Sequence, residues 1–170
     1  MTTDPAVRPA TPDDLDAVAA IFAHYVTDTV ITFDERPPTP ADWRRRLDDL
    51  TAQGLPLLVA VVDGQVVGYA YASPWKPKPG YRHTVEDSVY LAPGWSGHGL
   101  GSALLRSVLD ACCRAGVRQI IAVIADTGSD ASTALHRRLG FSHVGRLTAV
   151  GHKHGRWIDT ILMQRSLPAS

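Results

Sequence analysis

Apolar residues at Leu15, Val18, Phe22 and Tyr25, with Ile21 widening the stripe, recur at the spacing of one helix face. Thr11, Pro12 and Asp14 stand just ahead of them as a cap, a first-turn proline and the closing residue of a capping box. The stripe therefore predicts an amphipathic helix lying on a sheet. The same signal returns at Thr39, followed by Trp43, Leu47 and Leu50 and stopped at Gly54. Ala6 to Pro9 reads as a short first strand, and Val30 to Glu35, between the two helices, as irregular or extended chain. From Leu55 to Ala72 two nearly continuous β-rich runs flank Asp63-Gly64, a hairpin turn signal in a sheet covered on both faces.

Strict alternation follows from His83 to Leu91. Val85, Val89 and Leu91 fall on one face and Thr84, Glu86, Ser88 and Tyr90 on the other. Asp87 lands on the apolar face, where a charge is costly unless paired, and a bulge at Asp87 is the expected resolution. Gly97, Gly99 and Gly101 then open a helix carrying Leu100, Leu104, Leu105, Val108, Leu109 and Cys112, which stops at Gly116. Arg118 to Ala125 reads as a buried strand and Ser132 to Leu139 as a short helix ended by Gly140. Phe141 to Val150 and Trp157 to Gln164 read as closing strands around a His-rich turn. Strands dominate and helices fall between particular strands, the pattern of a mixed α/β or α+β sheet.

The 170 residues suit one domain, expected over 1–166 with a loose tail at 167–170. Lys+Arg and Asp+Glu balance at 17 each, which argues against a partner held by bulk charge such as nucleic acid. No apolar run approaches a membrane span, and the N-terminal residues do not read as a secretory signal. The two cysteines, Cys112 and Cys113, are adjacent and poorly placed to bridge each other, which fits a reducing cytoplasm. His152-x-His154 raises the question of a metal, but neighbouring carboxylates that would close a ligand set are missing, and no metal is expected.

The candidate chemistry centres on the glycines. At a helix start they let backbone N–H groups approach an anion that the helix dipole favours. The spacing is not that of a dinucleotide fingerprint, since the third glycine comes one residue early and Ile120 and Ile121 stand where an acidic residue is needed. The Lys-Ser/Thr of a P-loop is absent too. What remains is a pyrophosphate held at a helix N-terminus with a carboxylate, Glu86, on the strand just upstream. The Pro-rich loop from Ser73 to Arg82 carries Trp75, Lys76, Lys78, Tyr81 and Arg82, a composition common in binding loops.

These residues resemble the GNAT (Gcn5-related) N-acetyltransferases over nearly the whole chain. The family loop matches Ser96-Gly97-His98-Gly99-Leu100-Gly101, with Ser96 in place of the usual Gln or Arg. The resemblance implies the GNAT fold, a mixed, mostly antiparallel twisted sheet of six to seven strands flanked by about four helices. It also implies acetyl-CoA as co-substrate, contacted by Val89, Tyr90, Leu91, Gly97, His98, Gly99, Leu100, Gly101, Ser102, Ser129 and His136. The stretches S-P-W-K-P-K-P-G-Y-R-H-T-V-E-D-S-V-Y-L and G-H-K-H-G-R-W are similar to the branch acting on phosphinothricin, methionine sulfone and methionine sulfoximine. That branch implies Glu86 as general base and Phe33, Lys76, Tyr81, Arg82, Ser88 and His154 as the acceptor site. It further implies a homodimer, and His136 stands where many relatives carry a tyrosine thought to protonate the leaving thiolate.

Three readings of function follow. The first is acetylation of the α-amine of a small amino-acid analogue. The second keeps the fold but takes a polyamine, an aminoglycoside or a protein N-terminus. The third is an acetyl-CoA-binding module without catalysis. Lys76, Lys78 and Arg82 favour an acceptor bearing an anionic group, and Glu86 favours an enzyme.

Overall fold

The computed structural model describes residues 4–169; the first three residues and Ser170, the end of the expected tail, lie outside it. Seven strands form one sheet in the order β1-β2-β3-β4-β5-β7-β6. The strands are β1 (Ala6–Pro9), β2 (Leu57–Val62), β3 (Gln65–Pro74), β4 (Thr84–Leu91), β5 (Gln119–Ala125), β6 (Ser142–Lys153) and β7 (Arg156–Ser166). Only β4 and β5 run parallel; the other neighbours are antiparallel. The helices are α1 (Leu15–Asp28), α2 (Pro40–Ala52), α3 (Leu100–Arg114) and α4 (Ala131–Arg138).

Local chemistry explains the element starts. A 3₁₀ turn over Pro12–Asp14 leads into α1, and the Asp14 carboxylate accepts the Thr11 amide at 2.7 Å and the Arg8 guanidinium at 2.7 and 2.9 Å. Thr39 caps α2 by accepting the Asp42 amide at 3.1 Å, and the Thr39 amide in turn donates to the Asp42 carboxylate at 2.8 Å. Asp63 and Gly64 both take positive φ, which a two-residue hairpin turn between right-twisted strands requires.

Alternation along β2 sorts the core into two layers. Leu58, Ala60 and Val62 face α3, where Leu104, Leu105, Val108 and Cys112 are buried. Leu57 and Val59 face α1 and α2, together with Trp43, Phe22 and Tyr69. A Cβ at Gly68 on β3 would stand 2.8 Å from Leu91 Cδ2 on β4 and 3.2 Å from Leu104 Cδ1 on α3, so both neighbours approach this backbone closely. Cys112 packs as a small core residue, and burial, then the charge of Asp87, pushes its thiol up to about 12.

Two expectations are corrected. The strand β4 pairs with β3 in unbroken register from Val85 to Leu91, so no bulge forms at Asp87; its charge is met by a partner described below. Where the last residues begin, Leu167 is buried and its amide donates to the Arg118 carbonyl at 2.9 Å. The closing strands run past the expected His-rich turn: pairing continues through His152↔Trp157 to Lys153↔Arg156, and only His154 and Gly155 turn the chain, both at positive φ. No described helix is long and apolar enough to cross a membrane.

Candidate active site

The parallel pairing of β4 with β5 is short. It joins Thr84, Val85 and Glu86 to Gln119, Ile120 and Ile121 and then stops. Beyond that point β4 continues along β3 and β5 along β7, so the two strands part. The gap is a cleft of about 420 Å³ whose walls are β4 from Glu86 to Leu91, the start of α3, β5 from Ala122 to Ala125, and α4. A fork in a sheet leaves backbone groups of both strands without ladder partners, and such groups are available to a ligand.

The N-terminus of α3 opens into this cleft. Gly97 and Gly99 sit at φ +81 and +77, a conformation that side chains with a Cβ rarely adopt, and a Cβ at either would meet no protein atom within 4 Å. These glycines are required by the backbone turn and leave open space on the cleft side. Gly101 differs: its φ is not positive, and a Cβ there would make only an ordinary contact, 3.4 Å from Leu135, where α3 meets α4. The first amides of α3 lack intrahelical acceptors and present positive partial charge to the cavity. Arg138, at the end of α4, adds a guanidinium to the wall. A pyrophosphate fits this arrangement of open glycines, free amides and a cation.

Glu86 stands at the base of the fork, opposite Ser73 on β3 and Ile121 on β5. Burial raises its carboxyl pKa, the neighbouring Asp87 charge adds to the rise, and the Lys76 ammonium opposes it. Asp87 points the other way and finds His136 on α4, with Oδ2 and Nε2 2.8 Å apart and both side chains buried. The other ring nitrogen, Nδ1, lies 2.8 Å from the Ser132 carbonyl. A carbonyl only accepts, so Nδ1 carries a proton. Burial alone would lower the imidazole pKa, but the Asp87 hydrogen bond and charge, helped by Ser132, raise it. His136 lines the cleft with both ring nitrogens engaged, so in this geometry it has no spare N–H for a leaving group.

Of the residues expected from sequence, Glu86, Ser88, Val89, Tyr90, Leu91, Gly97, Gly99, Leu100, Gly101, Ser102, Ser129 and His136 all line the cleft, as does Ser96. His98 does not; it is exposed, with its ring 5.7 Å from that of Trp95. Lys76, Tyr81 and Arg82 occupy an exposed loop outside the walls. Lys76 Nζ lies over the Trp75 ring, and Arg82 turns back to donate to the Pro79 carbonyl at 3.1 Å. His154 lines a smaller hollow of about 280 Å³, which shares Ile31 and Thr127 with the cleft and so adjoins it. Phe33 packs its ring against Gly151. Sequence reasoning missed Tyr25, a cleft residue whose hydroxyl donates to the Leu91 carbonyl at 2.5 Å, along with Arg138 and the β5 edge. Tyr25 belongs to the α1 stripe and carried no sign of a second task.

Comparison with known proteins gives a consistent picture. The acetyltransferase (GNAT) family model matches residues 18–141. The chain is 47% identical to a phosphinothricin N-acetyltransferase of Alcaligenes faecalis, over 96% of this chain and 83% of that protein. It is 39% identical to an L-methionine sulfoximine/L-methionine sulfone acetyltransferase of Pseudomonas aeruginosa, over 95% of this chain and 94% of the relative. Among solved structures, a GNAT superfamily phosphinothricin acetyltransferase from Sinorhizobium meliloti in complex with acetyl-CoA superposes with a TM-score of 0.92 at 43% identity, covering 97% of this chain and 89% of that one.

Proposed function

The chain belongs to the acetyltransferase (GNAT) family, whose enzymes use acetyl-CoA, and we propose that it acetylates the α-amine of a small amino-acid-like acceptor with Glu86 as general base. The acceptor class is that of phosphinothricin, methionine sulfone and methionine sulfoximine, as the relatives' names suggest. The observation that carries the reading is a carboxylate of raised pKa at the base of a forked sheet, beside a glycine-opened helix N-terminus.

Bound acetyl-CoA supplies an acetyl thioester. The amides of Gly99 to Ser102 and the Arg138 guanidinium hold its pyrophosphate, while Val89, Tyr90, Leu91, Ser129 and the His136 wall line its arm. The acceptor amine is mostly protonated at neutral pH and cannot attack in that form. Glu86 takes its proton, directly or through one water, and burial makes it a better base than a free glutamate. A backbone N–H between Val89 and Leu91, on the side of β4 that β5 leaves, donates to the carbonyl oxygen as negative charge grows there. The C–S bond then breaks, and the departing CoA thiolate takes up, through water, the second proton that the attacking nitrogen gives up, leaving the amide and free CoA. Lys76 supplies a cation for the acceptor's anionic group, and Arg82 a second once its guanidinium leaves Pro79. Phe33, Tyr81, Ser88 and His154 complete the acceptor site. A second copy of the chain is the natural cover for Val144, Leu147, Val150 and Trp157, the last 71% exposed; a monomer by sedimentation at micromolar concentration would remove that part of the reading.

Release of free CoA, followed with a panel of amines, tests the assignment. Methionine sulfone, methionine sulfoximine and phosphinothricin should be turned over far better than spermidine, an aminoglycoside or a peptide with a free N-terminus. Preference for one of the latter group would move the enzyme to another acceptor, and tight acetyl-CoA binding without turnover would make it a binding module. Gly99→Ala should weaken acetyl-CoA binding about tenfold by calorimetry, because the new Cβ strains the positive-φ turn that aims the α3 amides. Unchanged affinity would remove the pyrophosphate from this loop.

A further inference from the structure

Between α1 and α2 the chain from Thr29 to Glu35 forms only bends, yet it walls the acceptor side of the site. Ile31 lines both the cleft and the hollow that adjoins it, and the Thr32 hydroxyl stands against the Tyr90 phenol. A segment without its own hydrogen-bond ladder needs outside contacts to hold one position. The end of β6 supplies two.

The first is a fitted space. A Cβ at Gly151 would lie 2.3, 2.4 and 2.7 Å from three carbons of the Phe33 ring, so the ring lies where any other residue would put its side chain. The second is a buried ammonium. Lys153 is 4% exposed, and its Nζ donates to the Thr32 carbonyl at 2.8 Å and to the Tyr25 carbonyl at 3.4 Å. The Tyr25 carbonyl belongs to the last turn of α1, where the helix dipole favours a cation. Burial pushes the Lys153 pKa down, and the charges of Asp34 and Glu35 push it back up. Burying an ammonium is expensive, and an apolar side chain of similar length would fill the same space at less cost. The lysine therefore gives the segment directionality rather than bulk: it pins two specific carbonyls, one on each side of Ile31. The next residue, His154, lines the adjoining hollow, so one strand end carries both the pin and a piece of the rim.

We propose that Gly151 and Lys153 form a latch that fixes segment 29–35 as the acceptor-side wall, with Lys153 a positioning residue that sets which acceptors the cleft admits. This rests on the acceptor reading given above, and goes beyond it in assigning selectivity to residues that do not contact the acceptor.

Steady-state kinetics on the full chain, with acetyl-CoA and with methionine sulfone, methionine sulfoximine and phosphinothricin, test the latch. Lys153→Met should raise the acceptor KM about tenfold or more while the acetyl-CoA KM stays within about twofold, and Lys153→Arg should recover most of the loss. Gly151→Ala should displace Phe33 and change the order of preference among the three acceptors. An unchanged acceptor KM in Lys153→Met, an equal rise in both KM values, or no recovery with arginine would overturn the proposal. Should Lys153→Met fail to fold, unchanged acceptor constants in Gly151→Ala would overturn it on their own. Wild-type protein that releases CoA with none of these amines overturns the acceptor assignment itself, and the latch with it.

Discussion

Glu86→Gln is expected to lower kcat by about 10²–10⁴-fold while leaving acetyl-CoA affinity within about twofold. Glutamine keeps the shape and removes the proton acceptor. The carboxylate sits where β4 and β5 part, half-buried, with its pKa raised by burial first and by Asp87 second. A base acts when deprotonated, so wild-type kcat/KM should climb with pH along a limb lying above the ordinary glutamate range, and this limb should be lost in the variant. The stability sign is the reverse of the usual carboxylate case. A raised folded pKa means that folding disfavours the charged form, so Glu86 costs stability above its folded pKa and costs none below its unfolded one. The variant should therefore be no less stable than wild type at neutral pH, and slightly more stable by thermal unfolding. A large loss of Tm with the loss of turnover would point to a structural glutamate instead.

His136→Leu is expected to cost about 3–5 kcal/mol of folding stability, read as a lower urea midpoint at unchanged slope. The change removes the partner of Asp87 Oδ2, and Oδ1 is already buried without a hydrogen bond. Asp87 would then be an uncompensated charge facing the core around Cys112. Replacing both residues by leucine should recover most of the loss, because the apolar pair removes the stranded charge along with its partner. A single variant as stable as wild type would mean that Asp87 reaches water or another donor once the imidazole is gone. The pair bridges β4 and α4 across the forked side of the sheet, so these variants should also lose acetyl-CoA affinity.

What the sequence revealed divides along physical lines. The capped helices, the Asp63-Gly64 hairpin and the glycine loop were legible because each is enforced by neighbours within a few residues. The alternation along β4 placed Glu86 and Asp87 on opposite faces correctly, but the partner of Asp87 lies 49 residues away. Only tertiary structure supplies that partner, and without it a bulge was the reasonable local remedy. The fork itself was not legible. It depends on where the parallel pairing of β4 and β5 ends, and on β7 inserting between β5 and β6. The long β6–β7 hairpin was underestimated because its register shifts near His143 and between Leu147 and Gly151, with Ala149 at positive φ, break the period-two pattern. The loop from Lys76 to Arg82 was singled out by composition. The structure leaves it exposed outside the cleft walls, with the Lys76 charge felt at Glu86 and Arg82 bent onto its own backbone.

Transfer of label from [1-¹³C]acetyl-CoA to methionine sulfone, followed by NMR and mass spectrometry, tests the central claim most directly. The account predicts a single acetyl group on the α-nitrogen, stoichiometric CoA release, and near-complete loss of both with Glu86→Gln. Label that stays on acetyl-CoA, or that reaches the product equally well with Glu86→Gln, would contradict it.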